Sequence, residues 1–242
     1  MRHRDHDAVA QALRARYLTP APALGYDVED RPYGALATRG DTRRAILDAE
    51  ADASDLVALV DDDATVVWVE DRDRAERLAP ALAEVGYEAG PATTYVALVG
   101  DVRASVPATL VLRPARDVGD FARRKLTYFA DGTLPSEEDL ARELATRESE
   151  RDLADFYVVE VAGDVTAILA AYRGQDATAY LLATDPSRRS RGVGSGALAA
   201  WVASTSARSH VINALDGGRP AELYRRLGFT DEVYWYRRFE RA

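Results

Sequence analysis

Residues Leu181–Leu198 read LLATDPSRRSRGVGSGAL. An apolar run ends at Thr184, a basic and glycine-rich turn follows, and small apolar residues resume at Val193. A strand that feeds a helix through such a turn makes a cradle for anions. Gly192, Gly194 and Gly196 let backbone N–H groups approach a ligand with no side chain in the way. The first helical turn adds unpaired donors and the positive end of the helix dipole. Arg188, Arg189 and Arg191 supply charge-assisted donors. Three glycines and three arginines in one short turn favour a diphosphate ligand over a turn that only packs.

Upstream of the turn, apolar runs predict strands at 156–161, 165–172 and 178–183, with hairpin turns at Gly163-Asp164 and Gly174-Gln175-Asp176. Before them lie a strand at 108–113 and helices at 117–129 and 136–148, the second opened by Ser136 with Asp139 at capping-box spacing. Downstream come a helix at 192–205, a strand at His210–Ala214, a helix at Pro220–Leu227 stopped by Gly228, and an aromatic strand at Glu232–Phe239. The order β-α-α-β-β-β-α-β-α-β describes an α+β fold: a mixed, mostly antiparallel twisted sheet flanked by helices.

Two chemistries use such a turn. Gly192-x-Gly194-x-x-Ala197 fits the dinucleotide fingerprint, with Asp216 available for a ribose hydroxyl. That reading gives a nicotinamide-dependent oxidoreductase. Against it, Asp185 to Arg191 separate strand from glycine, and only 26 residues follow Asp216, too few for further parallel βα units. The second chemistry is acyl-CoA binding. Arg189-x-x-Gly192-x-Gly194, after a strand ending Thr184-x-Pro186, resembles the R/Q-x-x-G-x-G/A loop of the GNAT superfamily of acyl-CoA-dependent N-acyltransferases. Leu223-Tyr224-Arg-Arg-Leu-Gly228-Phe229 is similar to that family's L-Y-x-x-x-G-F in the last helix. The resemblance covers residues 108–242 in element order.

The resemblance implies acetyl-CoA as co-substrate and a primary amine, of a small molecule or a protein, as acceptor. Leu181, Leu182 and Thr184 would offer a free strand edge to the pantetheine arm. Backbone groups from Arg189 to Gly194, with Val193 and Ser195 at the helix start, would hold the diphosphate. A backbone N–H near Leu182 would stabilise the oxyanion, and Tyr224 matches the family's proton donor to the departing thiolate. Where many members carry Asn before the last helix, this chain has Gly217; Asn213 is either the substitute donor contact or a plain strand-end residue. No carboxylate lies on 178–183, so the general base is open among Glu160, Asp185, Tyr128 and a water chain. A non-catalytic acyl-CoA-binding or sensing module is the remaining alternative.

The Gly- and Pro-bearing stretch 100–108 divides the chain into an accessory domain, 1–104, and a catalytic domain, 105–242. In the first, helices are expected at Val9–Tyr17, 42–50 and Arg74–Val85, a connector at Pro20 and Pro22, a hairpin from Leu56–Val60 and Thr65–Val69 around Asp61-Asp62-Asp63, and a strand at Thr93–Val99. Residues 81–87 echo 223–229, and 56–69 echo 157–172, which makes this smaller α/β domain a partial, diverged copy with Leu82 in the place of Tyr224.

Composition bounds the rest. Among 242 residues there is no cysteine, so disulfides, thiolate nucleophiles and Cys-based metal sites are excluded. Only His3, His6 and His210 are available as imidazole ligands, and no metal is expected. The net charge of −9 argues against nucleic acid. No run reaches the ~18 apolar residues of a membrane span, and the charged start lacks the apolar core of a secretory signal; a cytoplasmic protein is expected. The aromatic C-terminal strand offers an edge for a homodimer. The aromatic set Tyr128, Phe129, Tyr172, Tyr234, Trp235 and Tyr236 either lines an acceptor site or packs.

Overall fold

The computed structural model describes residues 27–39, 42–47, 51–52, 54–173 and 176–242. The expected helix Val9–Tyr17, the connector at Pro20 and Pro22, His3, His6 and the Gly174-Gln175 turn lie outside the described residues. In chain order the first elements are β1 (Asp27–Arg31), β2 (Gly34–Arg39), β3 (Thr42–Leu47), α1 (Leu56–Asp61), β4 (Val66–Glu70), α2 (Arg72–Glu84) and β5 (Tyr87–Leu98). Then follow β6 (Leu110–Pro114), α3 (Val118–Phe129), α4 (Glu137–Ser149), β7 (Ala154–Val161), β8 (Asp164–Tyr172) and β9 (Asp176–Thr184). The last are α5 (Val193–Ser204), β10 (Ser209–Leu215), α6 (Arg219–Leu227) and β11 (Phe229–Arg241).

The chain forms two compact units: one is the chain up to Tyr95 with residues 214–218 and 232–242, the other residues 96–213 and 219–231. The sequence placed a single division at 104/105. The units interleave because residues 236–240 of β11 pair antiparallel with β4, which assigns the end of the chain to the first unit.

In the first unit β1, β2 and β3 form an antiparallel meander and β4 lies parallel to β3. Two expectations are corrected. Residues 42–47 (TRRAIL) form a strand, not a helix: Ala45 and Leu47 are fully buried, and β3 is hydrogen-bonded on both edges, which outweighs local helix propensity. Residues 56–60 (LVALV) form a helix, not a strand. Leu56 and Leu59, three apart, are buried, whereas Val57 is exposed. The acidic triplet after α1 is held in place, since Asp62 accepts from Arg31 Nε at 2.9 Å and from the Tyr33 hydroxyl at 2.8 Å.

The second unit repeats this order: an antiparallel meander β7-β8-β9, a helix, a strand β10 parallel to β9, and a second helix. The meander that echoes 154–184 is therefore 27–47, not 56–69. β6 pairs antiparallel with β7 on the edge away from β8. Alternation along β8 and β9 supplies both faces. Ile168, Ala170, Leu181 and Ala183 pack with Phe121 and Tyr128 of α3, while Ala167 packs with Val193 and Ala197 of α5. The α3 N-cap is Asp117, which accepts from the Gly119 and Asp120 N–H groups, and Ser136 caps α4 by accepting from Asp139 N. The β7-β8 turn sits at Ala162-Gly163, one residue before the expected position. Both residues take positive φ, 54° and 91°, as a tight hairpin turn requires.

One irregularity prepares the site. β9 pairs with β10 over Asp176–Ala179 only, whereas its pairing with β8 continues to Thr184. Tyr180 has no partner in the β8 register, which steps from Ala171–Ala179 to Ala170–Leu181. Beyond this bulge, residues 181–184 present one strand edge with no β10 partner.

Candidate acyl-donor site

The 181–198 stretch folds as its pattern predicts. β9 ends at Thr184, Asp185 caps a short turn by accepting from the Ser187 N–H at 2.8 Å, and α5 starts after Gly192. Gly192 has φ +78°, a left-handed conformation that glycine adopts without penalty. The first internal bond of α5 runs from Gly196 N–H to the Gly192 carbonyl at 2.9 Å. The N–H groups of Val193, Gly194 and Ser195 are thus left for a ligand. Gly196 permits close packing: a Cβ there would stand 2.8 Å from Pro107 Cδ and 2.9 Å from Leu110 Cδ1.

A cavity of about 660 Å³ opens beside this turn within the second unit. Its walls hold Leu182, Thr184, Arg188, Arg189, Gly192, Val193, Gly194, Ser195 and Tyr224, all singled out by sequence. Arg191 and Asn213, also singled out, are not on its walls. The sequence reading did not assign Ala183, Arg219, Pro220, Leu223 and Arg226 to the site, and it included Ser190 only through the backbone of 189–194. Of the α6 residues among them, Pro220 lies four before Tyr224 and shares its face, whereas Arg219, Leu223 and Arg226, spaced four and three apart, form the adjoining row. Tyr128 and Phe129 complete the wall.

Two of the loop arginines have partners within the unit. Arg189 donates to the Thr184 carbonyl at 3.3 Å, to the Tyr128 carbonyl and to the Asp131 carboxylate. Arg188 lies 3.4 Å from Asp164.

Tyr224 is buried at 5% exposure, and its hydroxyl makes no hydrogen bond among the described residues. Burial raises its pKa above the ordinary tyrosine value, so the phenol stays protonated at neutral pH. The base candidates fare otherwise. Glu160 pairs with Arg113 at 2.9 Å, and Asp185 is held below the usual carboxylate range by hydrogen bonds from Ser187. The Tyr128 hydroxyl donates to the Val165 carbonyl at 3.3 Å. Among the described residues, no carboxylate and no histidine lines the cavity.

Asp216, the ribose ligand of the dinucleotide reading, accepts from Arg72 and from Trp235 Nε1 at 3.1 Å within the first unit. The antiparallel meander before the turn also differs from the parallel sheet that reading needs. Of the aromatic set, Tyr172 stacks on Tyr180 with centroids 4.2 Å apart, and Tyr234 and Tyr236 pack against Tyr95. In the first unit, Arg74 of α2 donates to the carbonyls of Leu47 and Ala51 at 3.3 and 3.1 Å. Leu82, in the place of Tyr224, is fully buried. Among the described residues, no cluster of His, Asp and Glu is arranged to hold a metal ion, and no helix is long and apolar enough to cross a membrane.

Residues 152–231 match the family model described as an acetyltransferase (GNAT) domain. Structural similarity extends over most of the chain. A GCN5-related N-acetyltransferase from Kribbella flavida aligns at 14% identity over 96% of this chain and 95% of its own, with a TM-score of 0.64. A GCN5-related N-acetyltransferase from Sphaerobacter thermophilus aligns at 15% identity over 88% and 75%, with a TM-score of 0.58. A tandem GNAT protein from the clavulanic acid biosynthesis pathway aligns at 15% identity over 85% and 77%, with a TM-score of 0.56. No curated protein matches the sequence. The fold is GNAT-like, and a tandem neighbour fits the repeated strand order of the two units.

Proposed function

We propose that this chain, whose residues 152–231 carry a GNAT acetyltransferase domain, moves an acetyl group from acetyl-CoA to a primary amine by direct transfer. The chemistry lies in the part of the expected C-terminal domain, 105–242, that belongs to the second unit, and the N-terminal domain is a non-catalytic accessory. The observation that carries this reading is Tyr224, a buried phenol on the cavity wall whose hydroxyl has no partner among the described residues. A tyrosine kept only for packing satisfies its hydroxyl locally.

The chain's own groups then divide the work. The N–H groups at the start of α5 bind the diphosphate. The free edge of residues 181–184 takes the pantetheine amides as an added strand, and a backbone N–H near Leu182 receives the developing oxyanion. The amine nitrogen forms the new C–N bond as the C–S bond breaks, and Tyr224 gives its proton to the departing sulfur. With no carboxylate or histidine on the wall, the amine loses its proton to water. That same absence is what favours a second reading, a donor-binding module without turnover.

Thermal melts and a thiol-release assay test both. Acetyl-CoA raises the melting temperature, NAD does not, and amines trigger CoA release. A shift with acetyl-CoA but no release across a broad amine panel selects the binding module. A shift with NAD alone overturns both readings.

A further inference from the structure

Tyr180 is the residue left over by the bulge in β9. Along a regular strand side chains alternate between faces, yet Tyr180 and Leu181 are consecutive and both pack in the cluster beneath α3. The register with β8 steps there from Ala171–Ala179 to Ala170–Leu181. This one-residue step sets the phase of the strand beyond it. With the step, Leu181 and Ala183 pack with Phe121 of α3, and Leu182 packs with Val193 and Ala197 of α5. Without it the two sets would exchange faces.

Buried charges hold the extra residue. The Tyr180 hydroxyl donates to Glu150 Oε2 at 2.6 Å and accepts from Arg147 Nη1 at 2.9 Å, and Arg147 Nη1 donates to the same carboxylate oxygen at 2.5 Å. Tyr172 of β8 stacks on the Tyr180 ring and donates to Glu150 Oε1 at 3.5 Å. Behind this triangle, Arg147 Nε lies 2.7 Å from Glu143, which accepts from Lys125 Nζ at 2.5 Å. Glu143, Arg147 and Glu150 are 8, 6 and 5% exposed. Apolar residues of similar volume often stabilise such a place as well or better, so stability alone does not account for the set. Its directionality does: a hydroxyl held between a carboxylate and a guanidinium fork has one position, which apolar packing would not impose.

Resting on the acyl-transfer reading above, we propose that Arg147 and Glu150 are positioning residues that act through Tyr180: they hold the bulge in place, and the bulge aims the edge of residues 181–184 at the thioester. The pair touches no reacting atom. It sets the alignment of the backbone N–H near Leu182 with the developing oxyanion, an interaction whose worth depends on geometry.

Steady-state kinetics, acetyl-CoA dissociation constants and thermal melts of the full chain test this on two variants. Tyr180→Phe keeps the stacked ring and removes the hydroxyl; Glu150→Gln keeps an acceptor for that hydroxyl. Tyr180→Phe is expected to lower kcat about tenfold, short of the ~10²-fold that a misplacement of about 1 Å can cost. The acetyl-CoA dissociation constant and the amine KM should stay within about twofold, and the kcat–pH profile should keep its shape. Glu150→Gln is expected to lower kcat less, about threefold. A lowered melting temperature with kcat per folded molecule unchanged overturns the proposal and makes the network structural, as does loss of folding by both variants. A pH profile of altered shape overturns it by making Tyr180 itself a catalytic residue. Losses confined to the dissociation constant or to KM overturn it as well. A wild type that binds acetyl-CoA and releases no CoA with any amine removes the transfer reading itself, and this proposal with it, a result distinct from the others.

Discussion

Arg189 and Asp131 form an ion pair that joins the glycine-rich turn to the end of α3, and the same guanidinium also donates to the Tyr128 carbonyl. The side chain that the motif offers to phosphate therefore serves as a latch on Tyr128 and Phe129, two residues of the cavity wall. A latch and a phosphate ligand give opposite signs for one variant. If Arg189 binds phosphate, Asp131→Ala frees it and tightens acetyl-CoA binding. As a latch, Arg189→Ala and Asp131→Ala each weaken binding by a similar factor, about fivefold for a half-exposed pair worth up to ~1 kcal/mol. The double variant is then no worse than either single one. Dissociation constants of the four proteins decide the matter, and tighter binding by Asp131→Ala refutes the latch.

Tyr224→Phe keeps the buried ring and removes the proton. Turnover is expected to drop about 10²-fold while the acetyl-CoA dissociation constant stays within about twofold. An acid works only while protonated, and burial raises the pKa of Tyr224. The alkaline fall in kcat should therefore begin above pH ~10, the ordinary tyrosine value. A wild-type rate for the variant, or an alkaline limb below that pH assignable to Tyr224, removes the acid role. On the acidic side, with no carboxylate or histidine on the wall, the rising limb should follow the pKa of whichever amine is supplied. A limb fixed across amines would reveal a base supplied by the protein.

Gly194 and Gly196 lie two residues apart and should respond in different ways. A Cβ at Gly196 meets Pro107 and Leu110 at 2.8 and 2.9 Å. Overpacking of that kind costs about 1–3 kcal/mol, more than the ~1 kcal/mol that alanine gains over glycine in a helix. Gly196→Ala is therefore expected to lower the melting temperature. A Cβ at Gly194 makes ordinary contacts, 3.6 Å to Thr184 Oγ1 and 3.8 Å to Leu182 Cδ2, on the cavity wall. Gly194→Ala should melt no earlier than wild type and bind acetyl-CoA several-fold more weakly. Matching melts for the two variants contradict this packing account.

The sequence made the second unit legible from 108 to 231 because its strands are apolar runs set apart by turn residues and each helix carries its own punctuation: Asp117 and Ser136 as caps, Gly192 before α5, Gly228 after α6. TRRAIL and LVALV were unreadable for a shared reason. Runs of five or six residues satisfy both periods, and what decides between them is long-range pairing, on both edges of β3 and beneath Leu56 and Leu59. The return of residues 232–241 to β4 carried no local signal at all. In the site, the motif located the cradle and Tyr224. It did not foresee that Arg188 and Arg189 are held by Asp164 and Asp131, carboxylates 24 and 58 residues away in sequence.

His210 gives the second unit a pH response that can be worked out in sign. It sits on β10, 9% exposed, with Nε2 2.6 Å from Thr205 Oγ1 and its ring edge-on to Trp201, centroids 5.1 Å apart. Burial lowers its pKa below 6.5. The native state therefore holds it neutral where the unfolded chain has begun to take up a proton. Its contribution to stability is full above pH ~6.5, the unfolded value, and is lost as the pH falls from there through the lower native pKa. Urea midpoints measured between pH 7.5 and pH 5 should fall for the wild type. They should fall less for His210→Gln, which keeps a polar partner for Thr205 and does not titrate. Equal slopes for the two proteins would mean that His210 is protonated as readily in the native state as in the unfolded one.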